Sequence, residues 1–320
     1  MTHPTAAVLP FWLERPALEA LEIAATAEDL GFDELWVGEM MTFDAFALAG
    51  AIARQTRRLS LWVGPLAIGV RDPASLALGI ASIATLAERS AGLALGASTP
   101  IVVSRWHGRP WQRRVTLMRE TVTALRPILA GERSRFSGAL VRSDGFRLAA
   151  GAPSTPLAIA AFGEGMIRAA AELGDRVVVN LLTPAQVART RRAVDAAAAA
   201  EGRRPPPLVA WVPAAIDPAS ASLAQLARQL VLYLAPPGYG EMFIEAGFGE
   251  IVAMARSGAH PREIMARVPQ QLIEAVAAVG DIGAVRAKLD AYRAAGADVV
   301  AIVPATAEDP GGRRVLEACR

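Results

Sequence analysis

The sequence predicts a (β/α)8 barrel, the TIM-barrel architecture, as a single domain over residues 1–320 with helical and loop insertions. Three observations lead there. Short apolar runs of strand length alternate with longer runs of helical spacing, which is the pattern of parallel βα units. Eight such apolar runs can be counted, and closure into a barrel is the economical arrangement for eight. The length of 320 residues suits one barrel of about 250 residues plus insertions. A doubly wound open sheet is disfavoured, because no Gly-x-Gly-x-x-Gly follows the first run.

Strands are expected at residues 6–12, 34–39, 59–68, 92–98, 157–162, 176–182, 208–216 and 299–304. Helical spacing covers 16–30, 43–55, 73–88, 114–130, 165–173, 185–201 and 282–295. Asp72-Pro73 and Thr183-Pro184 each place a capping residue before a proline at the first helical position. Gly31, Gly174 and Gly296 stand where C-cap glycines belong. Three segments interrupt the alternation, at about 99–113, 137–156 and 220–279, the second of which reads as a small hairpin-like excursion. Long loops after strands are where barrel enzymes keep their specificity.

Composition removes several function classes. The 53% hydrophobic content allows a large core, and the formal charge is +2. Basic residues come at most in pairs, such as Arg113-Arg114 and Arg203-Arg204, and Lys288 is the sole lysine. A nucleic-acid binder would carry a basic stripe, so no nucleic-acid partner is expected. Cys319 is the only cysteine, which rules out an intrachain disulfide and a thiolate metal site. No metal is expected, because His3, His107 and His260 are far apart and lack metal-ligand spacing with carboxylates. The first residues show no signal-peptide pattern, and the longest apolar stretch, 73–87, is too short for a bilayer. A cytoplasmic protein without a membrane partner is the expectation. The runs 43–53 and 73–87 are apolar nearly all round, where an outer barrel helix should show a polar face. A homodimer through these helices is expected, with burial under the chain's own insertions as the alternative.

Several motifs, in collinear order, carry a family resemblance. Leu30-Gly31-Phe32-Asp33-Glu34-Leu35-Trp36-Val37-Gly38-Glu39 resembles the second-strand motif of the luciferase-like monooxygenase superfamily. Leu61-Trp62-Val63-Gly64-Pro65 and Arg71-Asp72-Pro73 are similar to its third strand and the helix start that follows. Leu93-Ala94-Leu95-Gly96-Ala97-Ser98 resembles its fourth-strand glycine motif. The insertion from Ser98 to Gly108 resembles the subgroup of coenzyme F420-dependent oxidoreductases, as do Ala160-Ala161-Phe162-Gly163-Glu164-Gly165-Met166 and Asn180-Leu181-Leu182-Thr183-Pro184.

The resemblance implies an oxidoreductase moving a hydride between coenzyme F420 and a small organic substrate. FMN is the alternative cofactor, for a luciferase-like monooxygenase, and a non-catalytic barrel is the rival from another class. The resemblance also implies a cis peptide bulge at Gly64-Pro65, behind the ring of the cofactor, with an ordinary trans proline ending the strand as the alternative. An X-Pro bond adopts cis far more readily than other peptide bonds. Gly96, Ala97 and Ser98 would line the cofactor, with the Ser98 hydroxyl as a hydrogen-bonding group. Phe162, Gly163, Glu164, Gly165 and Met166 form the loop expected at the cofactor tail. Small residues there let backbone N–H groups and the positive helix end approach a phosphate, although Glu164 must then point away.

Glu39, at a strand end, is a candidate to orient substrate or shuttle a proton, or else an acid favoured at a helix N-terminus. Its neighbour Met40 stands where several relatives in the subgroup carry a histidine. His107 is a candidate proton donor, with Trp106 beside it able to stack on a ring, or else a loop histidine beside a packing tryptophan. Asn180 is a candidate polar residue at the end of an apolar strand, or else a turn-forming residue before Thr183.

Overall fold

The computed structural model describes residues 4–39, 41–149 and 155–320. The eight predicted strands form as β1 (Ala6–Val8), β2 (Glu34–Val37), β3 (Ser60–Ala67), β4 (Ala91–Gly96), β7 (Leu157–Ala160), β8 (Arg176–Asn180), β9 (Leu208–Ile216) and β11 (Val299–Pro304). The hairpin expected in the second insertion forms as β5 (Arg135–Ser137) and β6 (Arg142–Asp144), an antiparallel pair, and one short strand, β10 (Ala278–Gly280), was not predicted. The second insertion therefore starts two residues before its predicted boundary, and its residues 150–154 lie outside the described residues, as does Met40.

The chain divides into two compact units. One unit comprises residues 33–178 and 193–207. In it β2, β3, β4, β7 and the start of β8 pair in parallel, in that order. The β3–β4 register shifts between Val63 and Leu66, so Gly64 and Pro65 form a bulge in β3. The other unit comprises residues 1–32, 179–192 and 208–320, in which β1, β11, β9 and β10 pair in parallel.

Strand residues are buried on both faces through most of β3, β4, β9 and β11, as expected where helices cover the sheet. Local signals set the helix ends. Asp72 accepts from Ser75 N–H at 2.9 Å, with Pro73 opening the helix Pro73–Ala87. Thr183 Oγ1 accepts from Gln186 N–H at 3.2 Å ahead of the helix Pro184–Ala200. Gly31 (φ 72°) and Gly296 (φ 95°) take the left-handed conformation expected after a helix. Gly174 does not. Its φ is −82°, and a Cβ there would stand 2.8 Å from the Ala170 carbonyl, so close backbone approach requires the glycine rather than a left-handed cap.

The helices Ala45–Gln55 and Pro73–Ala87 pack on each other more than their sequence suggested. A Cβ on Gly79 would meet the Phe46 ring at 2.4 Å, and one on Gly50 would meet Leu86 Cδ1 at 3.5 Å. Exposed positions on the first helix are Ala47, Ala51, Arg54 and Gln55, while the second exposes Leu78, Ser82, Thr85 and Leu86.

Candidate active site

In the unit of residues 33–178 and 193–207, the lower layer of the sheet is filled by large side chains. Trp36 and Trp62 stack with ring centroids 4.8 Å apart, and both are buried. The Arg176 guanidinium lies 4.4 Å from the Trp62 ring centre and pairs with Glu34 at 2.7 Å. Gly92 gives this layer room, since a Cβ there would stand 2.4 Å from the Trp62 ring.

Two residues farther along β3 the filling stops. The Gly64–Pro65 peptide is cis, as expected from the resemblance. Gly64 has φ 119°, and a Cβ on it would sit 2.1 Å from the Ala94 carbonyl oxygen, so no side chain is tolerated. On β4, the missing Cβ of Gly96 would lie 3.2 Å from Pro65 Cβ and 3.5 Å from Ala160 Cβ. Pro65, Gly96 and Ala160 therefore share one surface at the C-terminal ends of β3, β4 and β7. That surface is built of backbone and the smallest side chains, and it lies at the strand ends where barrel active sites form.

The chain beyond β4 is pinned in place. Ser98 is exposed with φ 56°, and Trp111 Nε1 donates to the Ala97 carbonyl at 3.1 Å while Arg114 stacks 3.9 Å over the Trp111 ring. Between them a π-helical segment, Ile101–Trp106, ends at His107. Trp106 and His107 are exposed. Trp111 was not singled out in the sequence. Its spacing from β4 gives no sign that its indole returns to the strand end.

Glu39 is held rather than free. Its carboxylate pairs with Arg71 and accepts from Ala45 N–H at 3.3 Å, at the start of the helix Ala45–Gln55. Arg71 also pairs with Asp44, which caps the same helix by accepting from Ala47 N–H at 3.0 Å, and lies 5.3 Å from the Phe46 ring centre. Burial pushes the Asp44 carboxyl up, but hydrogen bonds from Arg71 and the Ala47 N–H outweigh it and hold the group below its ordinary value. For Arg71, burial disfavours the cation, yet the two carboxylates raise its affinity for the proton above the ordinary value. Arg71 was read from the sequence only as part of a helix-start motif.

The loop after β7 leads into the helix Glu164–Leu173, where Gly163 (φ 74°) precedes the first turn. Gly163, Glu164 and Gly165 are exposed, Phe162 is half-buried and Met166 is buried. Nothing lies within 4 Å of a Cβ placed on Gly163, so the helix end opens to free space. Glu164 pairs with Arg168 one turn on, at 2.7 Å, which neutralises the carboxylate that would oppose an anion there.

In the other unit, Asn180 ends β8 and hydrogen-bonds Tyr239, and the rings of Tyr233 and Tyr239 lie 4.6 Å apart. Asn180 Oδ1 is buried without a hydrogen-bond partner. Burial raises both phenols, Tyr233 to about 12. The tyrosines were missed in the sequence, being embedded in a helical insertion with no motif.

Glu39, Gly64, Pro65, Gly96, Ala97, Ser98, Trp106, His107 and residues 162–166 thus belong to one unit, with Pro65 and Gly96 in one surface; Asn180 belongs to the other. Among the described residues, no group of three or more His, Cys, Asp or Glu is placed to hold a metal ion, and no helix is long and apolar enough to cross a membrane.

The family model described as luciferase-like monooxygenase matches residues 4–299. The chain belongs to the luciferase-like monooxygenase family. A 5,10-methylenetetrahydromethanopterin reductase of Methanolobus tindarius is 27% identical to this family member over 72% of the chain and 71% of the relative. Among solved structures, the coenzyme F420-dependent tetrahydromethanopterin reductase of Methanopyrus kandleri superposes with a TM-score of 0.84 at 19% identity, covering 99% of this chain and 96% of the other. An F420-dependent secondary alcohol dehydrogenase, solved with an F420–acetone adduct, superposes with a TM-score of 0.82 at 18% identity over 100% of both chains. The fold of this luciferase-like protein is accordingly the (β/α)8 barrel predicted from its sequence.

Proposed function

We propose that this luciferase-like protein is an F420-dependent oxidoreductase that transfers a hydride between the deazaflavin and a small organic substrate. The observation that carries the reading is the surface of Pro65, Gly96 and Ala160, from which side chains are withheld while the neighbouring layer of the same strands is packed with tryptophan. A flat ring needs such a backing. The relatives that bind F420 support this cofactor over FMN.

Gly64, Pro65, Gly96, Ala97 and Ser98 would hold the ring, and Phe162, Gly163, Glu164, Gly165 and Met166 the charged tail, with Arg168 beside it. The cofactor supplies the hydride chemistry when bound. The protein binds, orients and excludes water. Glu39, fixed by Arg71, serves as a rigid acceptor that orients a ligand N–H or O–H. His107, exposed at the end of the π-helical segment, is assigned the proton. Trp106 covers the ring. The protein acts in the cytoplasm as one barrel domain and as a homodimer through the helices near 43–53 and 73–87, to which Leu78 and Leu86 contribute exposed apolar surface. A sedimentation mass equal to the monomer would remove the dimer.

Absorbance titration of the purified protein with F420 and, separately, FMN tests the cofactor. Saturable binding of F420, with FMN bound at least about tenfold more weakly, is expected. Preferential FMN binding would assign the protein to the flavin monooxygenases instead, and binding of neither would leave a barrel without redox function.

A further inference from the structure

In the unit of residues 33–178 and 193–207, the insertion after β4 is a compact loop whose two ends are tied together by a side chain. Trp111 Nε1 donates to the Ala97 carbonyl at 3.1 Å, across 14 positions of sequence, and closes the neck of the loop. Arg114 lies 3.9 Å over the Trp111 ring and holds the indole in place. Left-handed backbone stands at both ends, at Ser98 (φ 56°) and Arg113 (φ 47°). Neither residue is glycine, so the surrounding contacts must hold this conformation.

The loop is also fastened at its middle. Val103 is buried, and a Cβ on Gly69, two residues past the end of β3, would stand 2.9 Å from Val103 Cγ1. The body of the loop is thus fixed beside the end of β3 and its neck to the end of β4, the two strands that carry Pro65 and Gly96. Within the loop, Val103 N–H donates to the Thr99 carbonyl at 3.0 Å, His107 N–H to Val102 at 3.3 Å and Arg109 N–H to Val103 at 2.9 Å. The Ala97–Ser98 peptide is trans and planar, so turning its carbonyl to Trp111 turns the Ser98 N–H to the opposite side. One indole therefore sets the direction of the chain where β4 runs out. The segment it encloses is π-helical, a conformation frequent at functional sites.

We propose that Trp111 is a positioning residue: by closing the neck of this loop it holds Ser98, with its hydroxyl, in the orientation that receives the cofactor at the end of β4. It acts through the Ala97–Ser98 peptide, not on the reacting atoms. The part of the claim that concerns the cofactor rests on the oxidoreductase reading; closure of the loop by Trp111 does not.

Trp111→Phe tests it, because it removes the N–H donor and keeps an aromatic plate under Arg114. Hydrogen–deuterium exchange of the full chain without ligand is expected to speed up at least about tenfold over residues 99–109, with the strands unchanged. Coenzyme F420 is expected to bind the variant at least about fivefold more weakly. In a Ser98→Ala background the same substitution should change F420 affinity by less than about twofold, because the hydroxyl it positions is already gone. A tryptophan that only stabilised the fold would cost the same in both backgrounds. Exchange over 99–109 that matches wild type in a folded Trp111→Phe would overturn the proposal, as would equal losses of affinity in the two backgrounds. So would loop amides that are unprotected in the wild type, whether or not the variant folds. A wild-type chain that binds no F420 removes the cofactor reading, and the exchange result alone then decides whether Trp111 closes the loop.

Discussion

Trp62 and Pro65 lie three positions apart on β3, yet they belong to opposite designs. Around Trp62 the strands carry the largest side chains available: two stacked indoles, a guanidinium on the face of one and a carboxylate closing the pair. Around Pro65 the same strands carry glycine and alanine, with a bulge whose backbone leaves no room for a Cβ on Gly64. The first region holds the unit together. The second gives up packing so that something else can occupy the space. A barrel interior is normally a packed core, so a layer emptied by sequence toward the C-terminal ends of the strands marks a binding surface.

The sharpest way to break this contrast is to empty the filled layer. Trp62→Ala removes both an indole stack and the platform under Arg176, and should cost about 3–5 kcal/mol in urea unfolding. A cost under about 1 kcal/mol would mean that the layer is not structural.

A smaller effect is expected at the edge of the open region, where Arg71 bridges Glu39 and Asp44. Arg71→Ala should cost about 1–2 kcal/mol at neutral pH, between the values of surface and buried pairs. The Asp44 carboxyl is held below its ordinary value, so its contribution is complete above its unfolded value of about 4 and is lost as pH falls through the lower folded value. The gap between wild type and Arg71→Ala should therefore narrow as acid unfolding is followed downward from about pH 4. A gap that widens there would contradict the ion-pair account.

The open region was the more legible of the two in the sequence, and the reason is physical. A site made by leaving side chains out is written as Gly64-Pro65 and Gly96, residues whose type alone states the backbone requirement. The eight strands were legible because each is apolar through most of its length and several are followed by capping signals such as Asp72-Pro73. A site made by pairing side chains is not written this way. Arg71 reaches back 32 positions to Glu39, and Asn180 meets Tyr239 only through the third insertion, so nothing in their local spacing reveals the partnership. Gly174 shows the same limit from the other side: glycine was expected there, and the reason proved to be crowding by carbonyl oxygens instead of a left-handed turn.

The central claim is that the glycine-built surface of β3 and β4 receives the ring of the cofactor. Gly96→Val tests it most directly, because the added side chain projects beside Pro65 and Ala160, where its first carbon meets ordinary to slightly tight contacts. The variant should fold with wild-type circular dichroism, lose no more than about 1–3 kcal/mol of stability, and bind coenzyme F420 at least about a hundredfold more weakly by fluorescence titration. A folded Gly96→Val that binds F420 within about threefold of wild type would place the ring elsewhere and contradict the account.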